Sequence, residues 1–306
     1  MEKKRILLVG SDGQVGSELQ KSLLQLDNVE IITSAYEGGD YPIDLRESGK
    51  IRELIRKLSP RLVINAAAYT AVDKAESDQE AAFAINTAAP KDMAEAAKEV
   101  QGAMVHFSTD YVYGSDEKRF LLESDHPNPR GVYAVSKWQG DQAVAASGAP
   151  YWVLRTSWVY GVHGANFVKT MLRLGKDREE LSVVCDQIGA PTSAETIASV
   201  CAKMLAKEAD FYRLMEKTRG VYHVVNSDVT SWHGFAEEIF ELAKAHNYSC
   251  RVNQLHAIAS EKYPTPAPRP TNSKMSLKKL EERFSIKPEP WRAALRRSFA
   301  DIAASV

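Results

Sequence analysis

The sequence predicts a doubly wound α/β fold built on a parallel sheet. Three observations lead there: short, largely apolar runs with apolar residues on both faces, helix-compatible segments between them, and a glycine-rich turn where the first run ends. The chain has 306 residues, a length that suits about two domains or one large one at roughly 150 residues per domain.

Taken in order, the run 6–9 is too short for a helix and ends in Gly10, and helix-like spacing resumes over 19–26. Further runs at 29–32, 62–64, 104–107 and 152–154 read as strands buried on both faces. Segments 47–58, 91–99 and 133–146 read as the helices between them. Beyond about residue 160 the rhythm loosens, with helices predicted at 167–174, 196–205 and 232–245 and strands at 181–184 and 221–225. Pro264, Pro266, Pro268 and Pro270 mark an extended segment that cannot be helical, a loop or lid. The charged stretch 278–283 reads as a solvated helix face.

Composition excludes several classes. With 44% hydrophobic and 26% charged residues the chain is neither disordered nor fibrous. Its 39 basic and 40 acidic residues leave a net charge of -1, so no nucleic-acid partner is expected. No apolar stretch reaches the ~20 residues of a membrane span, and the run after the basic start is too short for a signal peptide. Three scattered cysteines, Cys185, Cys201 and Cys250, suit a reducing compartment, and the cytoplasm is expected. The seven histidines and the cysteines show no zinc spacing.

Gly10-Ser-Asp-Gly13-Gln14-Val15-Gly16 has the form G-x-x-G-x-x-G at a strand-to-helix junction. Glycines there allow a tight turn and let backbone N–H groups approach a pyrophosphate at the positive helix end. An acidic residue about 20 positions on usually binds the adenosine ribose of NAD. Glu30 has that spacing but falls inside the second predicted strand, whose end, Thr33-Ser34-Ala35, carries no acid. NADPH is therefore expected, with NADH as a second cofactor, although no arginine is apparent for a 2′-phosphate.

Tyr133-Ala-Val-Ser-Lys137 places a phenol and an ammonium on one helix face. A nearby ammonium lowers a phenol's pKa from near 10, so Tyr133 is the expected general acid and Lys137 its partner, which also reaches the nicotinamide ribose. Phe107-Ser108-Thr109-Asp110-Tyr111-Val112-Tyr113-Gly114 ends a strand at the sheet edge that faces ligands.

Together with Asn65-Ala66-Ala67-Ala68-Tyr69-Thr-Ala-Val-Asp73, Arg155-Thr-Ser-Trp158-Val-Tyr160, Asp186-Gln-Ile-Gly-Ala-Pro-Thr192 and Arg269-Pro-Thr-Asn-Ser273, these motifs make the chain resemble the dTDP-4-dehydrorhamnose reductases, a family of extended short-chain dehydrogenases/reductases. The resemblance runs over almost the whole length. It implies a Rossmann-type NAD(P)-binding domain over 1–160, with about 181–190 and 221–235 returning to it, and a smaller C-terminal domain for the sugar nucleotide over most of 161–306. It implies reduction of the C4 ketone of dTDP-4-dehydro-L-rhamnose to dTDP-L-rhamnose, the last step in making that donor for surface polysaccharide.

By the same resemblance Thr109 orients the reacting carbonyl, and Ser108, Ala66, Ala67, Ala68 and Tyr69 lie along the cofactor, with Asp44 and Leu45 near its adenine. Asp73, Asp110, Tyr111 and Trp158 fall near the sugar nucleotide, and Asn166, Phe167 and Arg269 contact its base or phosphates. Glu18 and Glu195 match positions that hold Mg²⁺ at a dimer interface in some members, so Mg²⁺ and a homodimer are expected. Two departures stand out: Gly140-Asp141 where members commonly have Gly-Glu, and a segment, 115–130, charged in its own way. Two other readings stay open, a regulatory nucleotide-binding subunit resembling the β subunit of methionine adenosyltransferase and a nucleotide-sugar epimerase.

Overall fold

The predicted strands form as Lys4–Val9 (β1), Val29–Ser34 (β2), Leu62–Asn65 (β3), Ala103–Thr109 (β4) and Tyr151–Thr156 (β5). With Gly220–His223 they make a six-stranded parallel sheet in the order Gly220–His223, β5, β4, β3, β1, β2. Because side chains alternate along a strand, Ile6 and Leu8 enter one core while Leu7 and Val9 enter another, which is why every position of the run is apolar. The computed structural model describes residues 3–47, 49–114 and 118–306.

Helices Gln14–Leu23 (α1), Lys50–Leu58 (α2), Val72–Ala75 (α3), Gln79–Phe83 (α4), Ala89–Glu99 (α5) and Val132–Ala146 (α6) lie between the strands. Later come Phe167–Asp177 (α7), Ala194–Leu205 (α8), Phe211–Thr218 (α9), Trp232–Ala245 (α10), Lys278–Phe284 (α11) and Trp291–Ala304 (α12). Ile51, Leu54, Ile55 and Leu58 recur at helical spacing and cover one sheet face with Met93 and Ala97 of α5. Leu19 and Leu23 cover the other, joined by Ile197, Cys201 and Met204 of α8 and by Leu280 and Phe284 of α11. Late parts of the chain thus close the first core. A second core gathers Met171 and Leu172 of α7, Phe235 and Ile239 of α10, and Trp291 and Phe299 of α12.

The chain leaves β1 for β2 on one side and then crosses to β3 on the other. That reversal opens a crevice at the carboxyl ends of the strands, where ligands of such sheets bind.

Some elements differ from expectation. The helix expected over 19–26 begins at Gln14, directly on the glycine turn, and ends at Leu23. The run 181–184, expected to return to the cofactor half, is found in Glu180–Val184, paired with Gln254–Ile258 in a separate two-stranded sheet. Its Leu181 and Val183 enter the second core while Glu180 and Ser182 are exposed, a pattern for a strand covered on one face only. The stretch 278–283 is not wholly solvated, because Lys279 Nζ donates to the Val221 carbonyl at 2.8 Å and sits 4.6 Å from the Tyr222 ring centroid. Within 115–130, residues Ser115, Asp116 and Glu117 lie outside the described residues. Among the described residues no helix is long and apolar enough to cross a membrane.

Candidate active site

Gly10 has φ +78°, and a Cβ there would lie 2.5 Å from the Ala67 nitrogen. The turn after β1 therefore packs directly on the loop after β3, an approach only glycine permits. A Cβ on Gly16 would meet the Gly10 carbonyl oxygen at 2.0 Å, so Gly16 seats α1 on the turn. The result is a cleft of about 780 Å³. Gly10, Gly13, Gln14 and Val15 line it at the start of α1, where free N–H groups and the helix dipole favour an anion. Ala66, Ala67, Ala68 and Tyr69 also line it, as do Asp44 and Leu45, and so do Ser108, Tyr133 and Lys137.

Two further residues without a local sequence signal bear on this cleft, one from behind its wall and one on it. Asn86 sits in a single π-helical turn, Ala84–Ala88, a distortion frequent at functional sites. Its Oδ1 accepts the Tyr69 N–H at 2.9 Å, and its Nδ2 donates at 3.1 Å to the Tyr69 carbonyl and to Ser136 Oγ, which clamps the loop after β3 to α6. Arg46 is the second, and it corrects the expectation that no arginine stands near the end of β2. It lines the cleft, donates to both Asp44 carboxylate oxygens at 2.6–3.0 Å, and lies 5.7 Å from the Tyr36 ring centroid. The buried Ser34 hydroxyl, on the same cleft, has no hydrogen-bond partner. A guanidinium, an unpaired hydroxyl and a glycine cradle fit a phosphorylated dinucleotide. Glu30 is exposed on β2.

Tyr133 and Lys137 lie on the first turns of α6, whose Val132 N–H is capped by Glu76 Oε1 at 2.8 Å. Thr109, at the end of β4, donates from Oγ1 to Asp110 Oδ1 at 3.1 Å and accepts the Tyr111 N–H at 3.2 Å. The Tyr111 and Tyr133 rings meet edge to face at 5.4 Å. Burial pushes the Tyr133 phenol above its ordinary value; a hydrogen bond with Thr109 opposes this and the nearby Asp110 carboxylate adds to it. Lys137 Nζ donates to the Phe107 carbonyl at 2.7 Å, and burial is the largest influence on the Tyr133 phenol. Lys137 is itself pushed down to about 8 by burial, against the pull of Asp141.

The residues expected near a sugar nucleotide fall into three groups. Asp110 is fully buried, accepts a hydrogen bond from Ser273 Oγ, and is pushed up to about 6 by burial. Asp73 accepts from Arg269 Nη2 at 2.7 Å and from the Ala267 N–H at 3.2 Å, and the guanidinium lies 6.0 Å from the Tyr111 ring centroid. Trp158 takes φ +49°, a strained value for a bulky residue, and stacks on Trp232 with centroids 3.7 Å apart, while Phe167 packs on Trp232 at 4.7 Å. Asn166 caps α7 through Lys169 N–H and donates to Gln14 Oε1 at 3.1 Å and the Gly161 carbonyl at 2.8 Å. Its amide thus ties the glycine turn to the second half of the chain.

Glu18 and Glu195 do not converge into a metal site within one chain. Glu18 pairs with Lys21 at 2.8 Å and Glu195 with Arg297 at 3.2 Å, and among the described residues no three potential ligands gather.

Residues 4–304 match the family model described as RmlD substrate binding domain. The chain is 39% identical over 297 residues to a dTDP-4-dehydrorhamnose reductase of Shigella flexneri, covering 97% of each chain. Among solved structures it is similar to a dTDP-4-dehydrorhamnose reductase of Clostridium acetobutylicum, at 36% identity and TM-score 0.86 over 97% of this chain and 98% of that one. It is also similar to the Bacillus anthracis enzyme in complex with NADP, at 33% identity and TM-score 0.84 over 98% and 99%.

Proposed function

The chain belongs to the RmlD substrate-binding-domain family, and from that premise we propose that it reduces the C4 ketone of dTDP-4-dehydro-L-rhamnose to dTDP-L-rhamnose with NADPH. The observation that carries this reading is the convergence of Thr109, Tyr133 and Lys137 at the carboxyl end of β4, with Tyr133 and Lys137 opening on the same cleft as the glycine turn. The nicotinamide, when bound, supplies the hydride. Tyr133 donates its proton to the oxygen as that oxygen gains negative charge, and an alkoxide is basic enough to take it even from a phenol held high by burial. Thr109 aligns the oxygen, and Lys137 supplies positive charge beside the phenolate that remains. General-acid help of this kind contributes about 10²–10⁴-fold.

NADPH is the preferred cofactor in this reading, because Arg46 and Ser34 offer a 2′-phosphate two donors, and NADH is accepted with lower affinity. Residues 1–160 with Gly220–His223 bind the cofactor, and most of 161–306 binds the sugar nucleotide. Mg²⁺ at Glu18 and Glu195 needs a second copy of the chain to supply the remaining oxygens, so metal and homodimer stand or fall together. A reducing compartment, the cytoplasm, is the reading that three free cysteines suit. Mixing protein, NADPH and dTDP-4-dehydro-L-rhamnose is expected to oxidise one NADPH per ketosugar consumed; no oxidation dependent on the ketosugar would overturn the reading.

A further inference from the structure

We propose that Asp141 is a positioning residue of this site: behind the reaction centre it is the counter-ion that keeps the Lys137 ammonium charged and in place beside Tyr133. The inference rests on the reading that Tyr133 and Lys137 carry out the reduction. Positions 133, 137 and 141 follow one another at one helical turn, so α6 carries all three on one face. Lys137 and Asp141 are 2% and 3% exposed. An ammonium that deep requires a neighbouring charge or loses its proton. The Phe107 carbonyl, neutral, satisfies one of its three N–H donors.

The groups around Asp141 narrow its role. From β5, Arg155 Nε and Nη2 donate to Oδ2 at 3.2 and 3.1 Å. Arg155 also lies against the Tyr113 and Trp138 rings, at 4.8 and 5.5 Å. Oδ1 has no hydrogen-bond partner. From β4, His106 Nε2 lies 3.7 Å from it. The tautomer of His106 follows from its other side: Asn65 Oδ1 accepts the Ala67 N–H, so Asn65 Nδ2 is the donor to His106 Nδ1 at 3.1 Å and the ring proton sits on Nε2, facing Asp141. Burial holds His106 neutral. Ser108 on β4 adds a hydroxyl, Asp110 acts on Tyr133 by its charge, and Glu123 and Lys279 interact with Arg155.

Asp141 thus holds Arg155 directly, while Lys137 lies one helical turn away on the same buried face of α6. Arginine does not deprotonate in proteins, so if the carboxylate charge is removed, Lys137 is the group that gives way. It then ceases to support the Tyr133 phenolate. The chain Ala67–Asn65–His106–Asp141 also links the loop that lines the cleft to this charge.

The test compares the wild type with Asp141→Asn and Asp141→Glu in NADPH-dependent ketosugar reduction from pH 6 to 10, with thermal melting and the pH dependence of NADPH affinity measured in parallel. In Asp141→Asn the alkaline limb of kcat is expected to fall by about one pH unit or more, with about tenfold lower kcat at pH 8, and the alkaline weakening of NADPH binding to move with it. Asp141→Glu restores both limbs. A folded Asp141→Asn protein whose limbs stay at wild-type positions overturns the proposal, whatever its melting temperature. Should Asp141→Asn fail to fold, the double variant Asp141→Asn/Arg155→Met is compared with Arg155→Met alone, and limbs that coincide in those two overturn the proposal equally. If the wild type shows no turnover, the functional reading fails while the NADPH-binding limb still decides the role of Asp141.

Discussion

Arg269 and Asp73, 196 positions apart, form an ion pair with Nη2 2.7 Å from Oδ2. Because the same carboxylate accepts the Ala267 N–H, the proline-bearing segment 264–270 is fastened to α3, next to Lys74 on the cleft wall. Both residues are expected at the sugar nucleotide, and each already holds the other. Arg269 Nη1 is buried without a hydrogen-bond partner.

Arg269→Ala is therefore expected to raise KM for the dTDP-sugar by about 10–100-fold, the range of a lost charged hydrogen bond, with a smaller effect on kcat. Steady-state kinetics at saturating NADPH checks this. An unchanged KM would remove Arg269 from the diphosphate site.

Tyr133→Phe deletes the proton donor and leaves the ring in its contact with Tyr111. Turnover should fall by about 10²–10⁴-fold, while NADPH affinity by fluorescence titration stays near the wild-type value. Wild-type turnover in this variant would show that another group supplies the proton.

Arg46→Ala should weaken NADPH binding by about tenfold and leave NADH unchanged, since only NADPH carries the second phosphate. The moderate size reflects an exposed guanidinium that solvent screens. Equal losses for the two cofactors would mean that Arg46 acts only by holding Asp44.

His223 donates from Nδ1 to the Ser276 carbonyl at 3.0 Å and accepts from the Tyr113 hydroxyl at 2.6 Å, and burial pulls it down to about 3. Its folded pKa lies below the unfolded value near 6.5, so the stability it contributes is complete above pH 6.5 and is lost as pH falls towards 3. From pH 6.5 to 5 the loss from this one group is at most ~2 kcal/mol. His223→Gln should show a correspondingly shallower decline in urea unfolding over that interval; an identical slope would contradict the assignment.

The legible parts of this molecule are those whose partners lie close in sequence. The glycine turn, the buried strand runs and the Tyr133–Lys137 spacing each fall within one turn or one helix, and local periodicity exposes them. The parts without a local signal join distant positions. Arg46 reaches the end of β2 from the loop before α2, Asn86 grips Tyr69 from a π-turn, and Arg155 meets Asp141 only because β5 packs beneath α6. The run 181–184 was equally apolar whichever sheet it joined, so only its exposed alternate residues, seen in three dimensions, assign it to Gln254–Ile258.

The most direct test of the central claim is the fate of a labelled hydride. With NADPH deuterated at its transferable position and dTDP-4-dehydro-L-rhamnose as acceptor, the product sugar should carry one deuterium at C4, with one oxidised cofactor formed per sugar. Deuterium retained on a cofactor that shows no net oxidation, or absent from C4, would contradict it.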